Sequence, residues 1–227
     1  MDLIVAQSGA FFTQANATLL AEAAGNTVLL TILGCLTGLT LGFAIALVRT
    51  SVSRWAAPAR FIAIAYVEIF RRIPFLVVLF LVLFTMQVVA PMISSFAIAV
   101  IAISIVSTAF MAEIIRAGFT SVPRQQIEAA EVMNFSRWKT VRMVVLPQAW
   151  KVILPPAISF FVMFIKDTAL ASQMGVLELM FAGKTLSNRG HSSMLVFGTI
   201  LIIYFTISWP LARLGKHLEV RLGGLRH

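Results

Sequence analysis

A chain of 227 residues with 59% hydrophobic and only 12% charged side chains, at a mean hydropathy of +0.94, is unlike a soluble domain, which carries about 25% charged residues. Eighteen Lys and Arg against nine Asp and Glu leave a formal net charge of +9. In a soluble chain this excess would suggest nucleic acid, but here the basic residues flank apolar runs, as in one compact membrane domain oriented by its charges. The single cysteine, Cys35, excludes an internal disulfide and a cysteine-cluster metal site.

In chain order, residues 1–24 read as an N-terminal periplasmic or interfacial segment. Asp2 is the only charge before Glu22, and the basic start of a signal peptide is missing. A transmembrane helix needs about 20 mostly apolar residues. Residues 23–48, between Glu22 and Arg49, are charge-free and form the first predicted span. Residues 56–70 are helical in character but short, either an elbow or the lower part of the second span before a break at Pro74. The charge-free run 73–112 is divided by Pro91 and Ser94-Ser95 into spans over 74–90 and 95–115. A fourth span is expected over 155–177, interrupted by Lys166, Asp167 and a few hydroxyls, and a fifth over 190–212, ending at Arg213. The expected fold is an all-α integral membrane protein with five transmembrane helices.

Basic residues set the orientation. With the N-terminus outside, the inner side receives Arg49, Arg54 and Arg60, the 116–151 loop, and Arg213, Lys216, Arg221 and Arg226; the outer side receives only Lys184 and Arg189. The positive-inside rule selects this arrangement, with a cytoplasmic C-terminus. The transmembrane domain then covers 25–216, with a cytoplasmic loop over 117–150 and a cytoplasmic tail over 217–227.

The loop is the polar part of the chain. Ser121 is placed to cap a helix with Pro123 in its opening turn, and Asn134, which tolerates a left-handed turn, is placed to end it. Ser136 is placed to cap a second helix running to Leu146, where Pro147 stops it. Ile127, Ala130, Val132 and Met133 supply an apolar side, and Arg124 and Glu128 a polar one. Spacing alone fits both a helix lying on the membrane surface and a docking surface for a cytoplasmic partner.

Charges within the spans are the other candidates. If the fourth helix starts near Pro155, Lys166 lies roughly 15 Å along it, near the midplane of a core about 30 Å thick. An ionisable group there costs a few kcal/mol. Adjacent helical residues do not face each other, so Lys166 and Asp167 each need a partner from another helix, another chain or water. A structural ion-pair network and a role in a substrate path both fit. Glu113 with Arg116, and Glu68 with Arg71 and Arg72, have the spacing of local ion pairs, and the same two readings apply. Thr168 and Ser172 share a face and suit either a substrate or backbone carbonyls. His191, His217 and His227 are scattered, so no metal site is expected. The chain has no Gly-x-x-x-x-Gly-Lys-[Ser/Thr] phosphate loop and no Gly-x-Ser-x-Gly elbow.

Several motifs in order carry a resemblance. Glu128, Ala129 and Ala130, then Val144, Leu146 and Pro147, match the offsets of the Glu-Ala-Ala loop of ATP-binding-cassette importer permeases, with Asn134 at the usual glycine. "NTVLLTILGCLTGLTLGFAIALVRTS" (26–51), "YVEIFRRIPFLVVLF" (66–80), "AEIIRAG" (112–118), "LPQA" (146–149) and "KDTAL" (166–170) resemble the polar amino acid subfamily (histidine-, glutamine- and arginine-type permeases). Arg72 and Ile73 replace Gly-Thr, and Ser159 stands where the family usually has Asn.

The resemblance implies a type I importer permease, multi-pass in the bacterial cytoplasmic membrane, moving a polar amino acid or related small zwitterion, opines included, by alternating access. It implies Glu128, Ala129, Ala130, Asn134, Leu146 and Pro147 as the segment that couples to an ATPase. It sets "KDTAL" beside the translocation path, and with the charges and hydroxyls read above the candidates for that path are Glu68, Glu113, Lys166, Asp167, Thr168 and Ser172. The implied partners are a cytoplasmic ATPase dimer holding ATP and Mg, a second permease chain of the same or a paralogous kind, and an extracytoplasmic binding protein. No cofactor is expected in this chain, and no enzyme activity. The runner-up readings are a non-transporting membrane scaffold or sensor that docks an ATPase, and an intramembrane enzyme using Lys166 or Asp167.

Overall fold

The computed structural model describes residues 11–51 and 53–223, and these are helical without a strand. The order is α1 (Gln14–Arg49), a 3-10 turn (Arg54–Ala56), α2 (Ala57–Phe70), α3 (Phe75–Val89), α4 (Ser95–Thr120), α5 (Arg124–Val132) and α6 (Arg137–Thr140). A π turn (Val141–Val145), α7 (Leu146–Asp167), a second 3-10 turn (Thr168–Met174), α8 (Leu179–Asn188) and α9 (Ser193–Gly223) follow. Four helical stretches are long and apolar enough to cross a membrane: Gln14–Arg49, Ser95–Thr120, Arg137–Met174 and Ser193–Leu222. The pair Arg54–Phe70 and Phe75–Val89, broken at Pro74, makes a fifth when counted as one span. Proline disfavours the helical region for the residue before it, which fits the break at the sequence-predicted elbow.

Four expectations about boundaries change. Helix α1 starts at Gln14, so the expected boundary at 24/25 falls inside it. Phe11 is buried, and its carbonyl accepts from the Asn16 side-chain amide at 2.9 Å; residues 1–10 lie outside the described residues. The fourth span does not begin at Pro155: α7 runs from Leu146 through Pro155 and Pro156. Pro147 does not stop a helix either. It is the second residue of α7, behind a π turn whose Val144 carbonyl accepts from the Gln148 side chain at 2.9 Å. Proline in such a helix is tolerated because side chains and local shifts of the ladder re-satisfy the freed carbonyls. The last helix outruns the expected 190–212, continuing past Pro210 to Gly223.

The chain divides into two compact units. The first takes the described residues up to Cys35, with Pro74–Ser104 and Phe161–Pro210. Its core joins Phe11, Leu20 and Ala23 to Leu179, Ala182 and Leu186 of α8 and Val196 and Ile200 of α9. The second unit takes Leu36–Ile73, Ile105–Phe160 and the described residues from Leu211. Within it, Gly38 and Gly42 of α1 lie so close to Ser107 and Met111 of α4 that a Cβ would collide. Glycines four residues apart share a helix face and let backbones approach, the usual basis of tight helix contact in lipid.

Candidate functional site

The second unit contains the polar segment singled out by its sequence. Arg124 opens α5 after Pro123, and no side chain caps it. Ser121 does not serve as the cap: its hydroxyl donates to the Gly118 carbonyl at the end of α4, 2.7 Å away. The other end is as expected. Asn134 adopts φ 59°, the one positive φ outside glycine among the described residues. Asparagine tolerates this region better than other residues with a Cβ, so the turn survives without glycine. Ser136 caps α6, accepting from the Lys139 N–H.

The apolar side of α5 is split. Ala130 is buried, but Val132 and Met133 are 88% and 68% exposed, and Trp138 and Met143 are exposed beyond them. Ala129 is exposed, and Glu128 is exposed and pairs with Arg124 one turn away, at 3.0 Å. A short helix closed by the Asn134 turn thus presents apolar side chains and a carboxylate to its surroundings. That pattern suits docking, since scattered apolar residues are ordinary but a run of them on a polar segment is not.

Glu113 is an ion-pair hub in the same unit. Arg116 donates to both its oxygens, at 2.5 and 3.1 Å; Arg49 donates at 2.7 Å; and Arg71 lies at 3.8 Å. Arg71 also lies over the Phe110 ring, 5.7 Å from its centre. The local Glu113–Arg116 pair was legible from spacing. Arg49, 64 residues away and 91% buried by its side chain, was not. Glu68 bonds Arg72 at 2.6 and 3.1 Å on an exposed surface, leaving Arg71 to Glu113.

In the first unit, Thr168 and Ser172 are buried. Thr168 donates to the Ile165 carbonyl at 2.7 Å, and Ser172 accepts from Lys184 at 3.0 Å. Asp167 closes α7, half-buried, and Lys166 beside it is exposed. Among the described residues, neither makes a hydrogen bond or ion pair within the chain. Close by in sequence is Glu178, which the sequence analysis did not single out. It is fully buried, caps α8 by accepting from Met180 and Phe181 N–H at 2.9 and 2.7 Å, and accepts the Tyr204 hydroxyl at 2.8 Å. Burial pushes its carboxyl above the usual carboxylate range, against the pull of these donors and of Lys184. Thr27 of α1 accepts the Leu179 N–H, and Asn26 donates to the Leu177 carbonyl, so both neighbours of Glu178 are tied to α1. An acidic residue directly before a helix was the one available signal.

Helical spans with a polar segment between two of them fit the permease class of ATP-binding-cassette importers. The comparisons agree. A solved amino acid ABC transporter with histidines is 30% identical and superposes at a TM-score of 0.81, covering 90% of this chain and 94% of that one. The MetNI methionine ABC transporter shares the fold at a TM-score of 0.79 and 21% identity, covering 93% and 99%. The L-cystine transport system permease protein TcyB of Bacillus subtilis is 36% identical over 86% of this chain and 83% of its own length. The glutamine transport system permease protein GlnP of Escherichia coli is 31% identical over 90% and 93%. The description "Binding-protein-dependent transport system inner membrane component" matches residues 38–223, and the chain belongs to that family. It is an inner-membrane transport subunit and not itself an enzyme.

Proposed function

We propose that this chain carries a polar amino acid or a related small zwitterion through the membrane, and that α5 is the lever by which an ATPase drives it. The observation behind the lever is the exposed segment: Glu128, Val132 and Met133 are exposed, the Asn134 turn closes their helix, and Ser136 caps the α6 that follows. A cytoplasmic ATPase dimer with ATP and Mg would dock there, and its closure would be passed to α4 and α7, the long helices flanking the segment. A second permease chain and an extracytoplasmic binding protein complete the proposed assembly. In the proposed orientation, with the N-terminus outside, this loop faces the cytoplasm, as its six basic residues favour.

The substrate class rests on the named relatives and on charge. A zwitterion has one ammonium and one carboxylate, and Lys166 and Asp167 are adjacent charges of both signs whose side chains have no hydrogen-bond partner among the described residues. Glu113 is already held by arginines, which makes Lys166 and Asp167 the better candidates for substrate contact.

The test is uptake of labelled amino acids by the whole assembly in proteoliposomes, with amino acids and opines as competitors. Glu128→Lys is expected to abolish uptake while the chain still inserts. Normal uptake at equal expression would remove α5 from coupling. For orientation, Ser121→Cys with Cys35 replaced should resist an impermeant thiol reagent in intact cells and Asn188→Cys should react; the reverse pattern would invert the layout. Asp167→Asn is expected to impair uptake more than thermal stability.

A further inference from the structure

Where α1 meets α2, the second unit has an apolar groove of about 440 Å³. Ala44, Ile45 and Val48 of α1 form one wall, and Ala59, Ile62 and Ala63 of α2 the other. Tyr66 also lines it, the lining residue of α2 farthest along the chain from the α1–α2 connection. At the opposite end, two guanidiniums converge on Ser51: Arg60 of α2 donates to its carbonyl at 2.5 Å, and Arg137 of α6 donates to its hydroxyl at 2.9 Å. Among the described residues, neither arginine has a carboxylate partner. Arg54, exposed in the connecting turn, has none either. The contrast with Arg49, Arg71 and Arg116 is direct, since all three are neutralised on Glu113.

An apolar slot ending at two unneutralised guanidiniums is complementary to one kind of molecule: a long hydrocarbon tail carrying an anionic headgroup. A soluble partner would bring polar surface to a slot within the spans, and a neutral lipid would leave the arginines without a counter-charge. Guanidinium forks match phosphate oxygens, and a basic pocket between transmembrane helices at the membrane surface is the expected setting for an anionic headgroup. We infer that this groove is a binding site for an anionic phospholipid, with an acyl chain between α1 and α2 and the phosphate on Arg60 and Arg137. In the orientation proposed above, the lipid comes from the inner leaflet. Arg137 follows the Asn134 turn by three residues, so the bound headgroup would steady the base of the proposed coupling lever.

The proposal is tested on the purified assembly, delipidated in mild detergent and titrated with phosphatidylglycerol or phosphatidylcholine, with bound lipid counted by native mass spectrometry. This measurement does not depend on transport, substrate or orientation, so it fails separately from the proposed function. Phosphatidylglycerol is expected to bind in preference to phosphatidylcholine. Each arginine is worth about fivefold in affinity for an anionic headgroup, so the pair Arg60→Gln and Arg137→Gln should weaken phosphatidylglycerol by roughly 25-fold and leave phosphatidylcholine unchanged. Ala59→Trp, which fills the exposed rim of the groove, should weaken both lipids with no loss of thermal stability. Equal binding of the two lipids, or an unchanged preference in the double variant, would overturn the site. A disulfide cross-link from Ile62→Cys to the second permease chain would also overturn it, by placing a helix in the groove.

Discussion

Glu178 and Glu113 are both withdrawn from water, one in each unit, yet they are held in different ways. Glu178 is fully buried and is met by two backbone N–H groups and a tyrosine hydroxyl. Glu113 keeps 20% of its side chain exposed and is met by three guanidiniums. Neutral donors satisfy a carboxyl whether or not it is ionised, so the Glu178 site needs oxygens in the right place more than it needs charge. Three arginines need the charge: without it, the buried Arg49 faces two like charges, and its Nε already has no partner. The first site is a structural clasp on the start of α8. The second ties the ends of α1 and α2 to α4 through a single anion.

Substitutions that keep shape but remove charge should separate the two. Glu113→Gln is expected to cost about 2–4 kcal/mol, somewhat less than breaking a dry ion pair because Arg71 and Arg116 reach solvent. Thermal unfolding in detergent reads this, and an unchanged midpoint would erase the distinction. Combining it with Arg49→Gln should recover part of the loss, since the second change removes the stranded charge. Glu178→Ala removes a helix cap and strands the Tyr204 hydroxyl, for roughly 2–3 kcal/mol; Glu178→Gln, whose amide oxygen still accepts, should cost clearly less. If Gln proves as damaging as Ala at 178, the charge matters there too. Tyr204→Phe should cost about 1 kcal/mol, one hydrogen bond's net worth. Glu68→Gln, on an exposed pair with Arg72, is expected to leave the midpoint unmoved, and a clear drop would show that this pair is buried in the assembly.

Local rules carried well where the cause is local. The spans follow from apolar runs, the elbow from Pro74, the left-handed turn from Asn134 and the α6 cap from Ser136. They failed where a neighbour could compensate. Pro147 and Pro155 looked like boundaries, but a helix in lipid retains its remaining backbone bonds, and a π turn with the Gln148 side chain accommodates the first of them. Ser121 looked like a cap, but the Gly118 carbonyl at the end of α4 was the nearer partner.

Composition, charge placement and motif spacing by themselves determined the membrane class, the apolar runs that become spans, the likeness to importer permeases and the position of the polar segment. Each depends on residues a few places apart, or on sums over the chain. Only the tertiary structure decided which charges are consumed and which are left over. Glu113 takes Arg49 from 64 residues away, Glu178 takes Tyr204 from 26, and Arg137 reaches Ser51 across 86, while Lys166 and Asp167 make no hydrogen bond or ion pair among the described residues. Ion pairs between helices depend on rotation and depth along each helix, and neither leaves a periodic trace in the sequence.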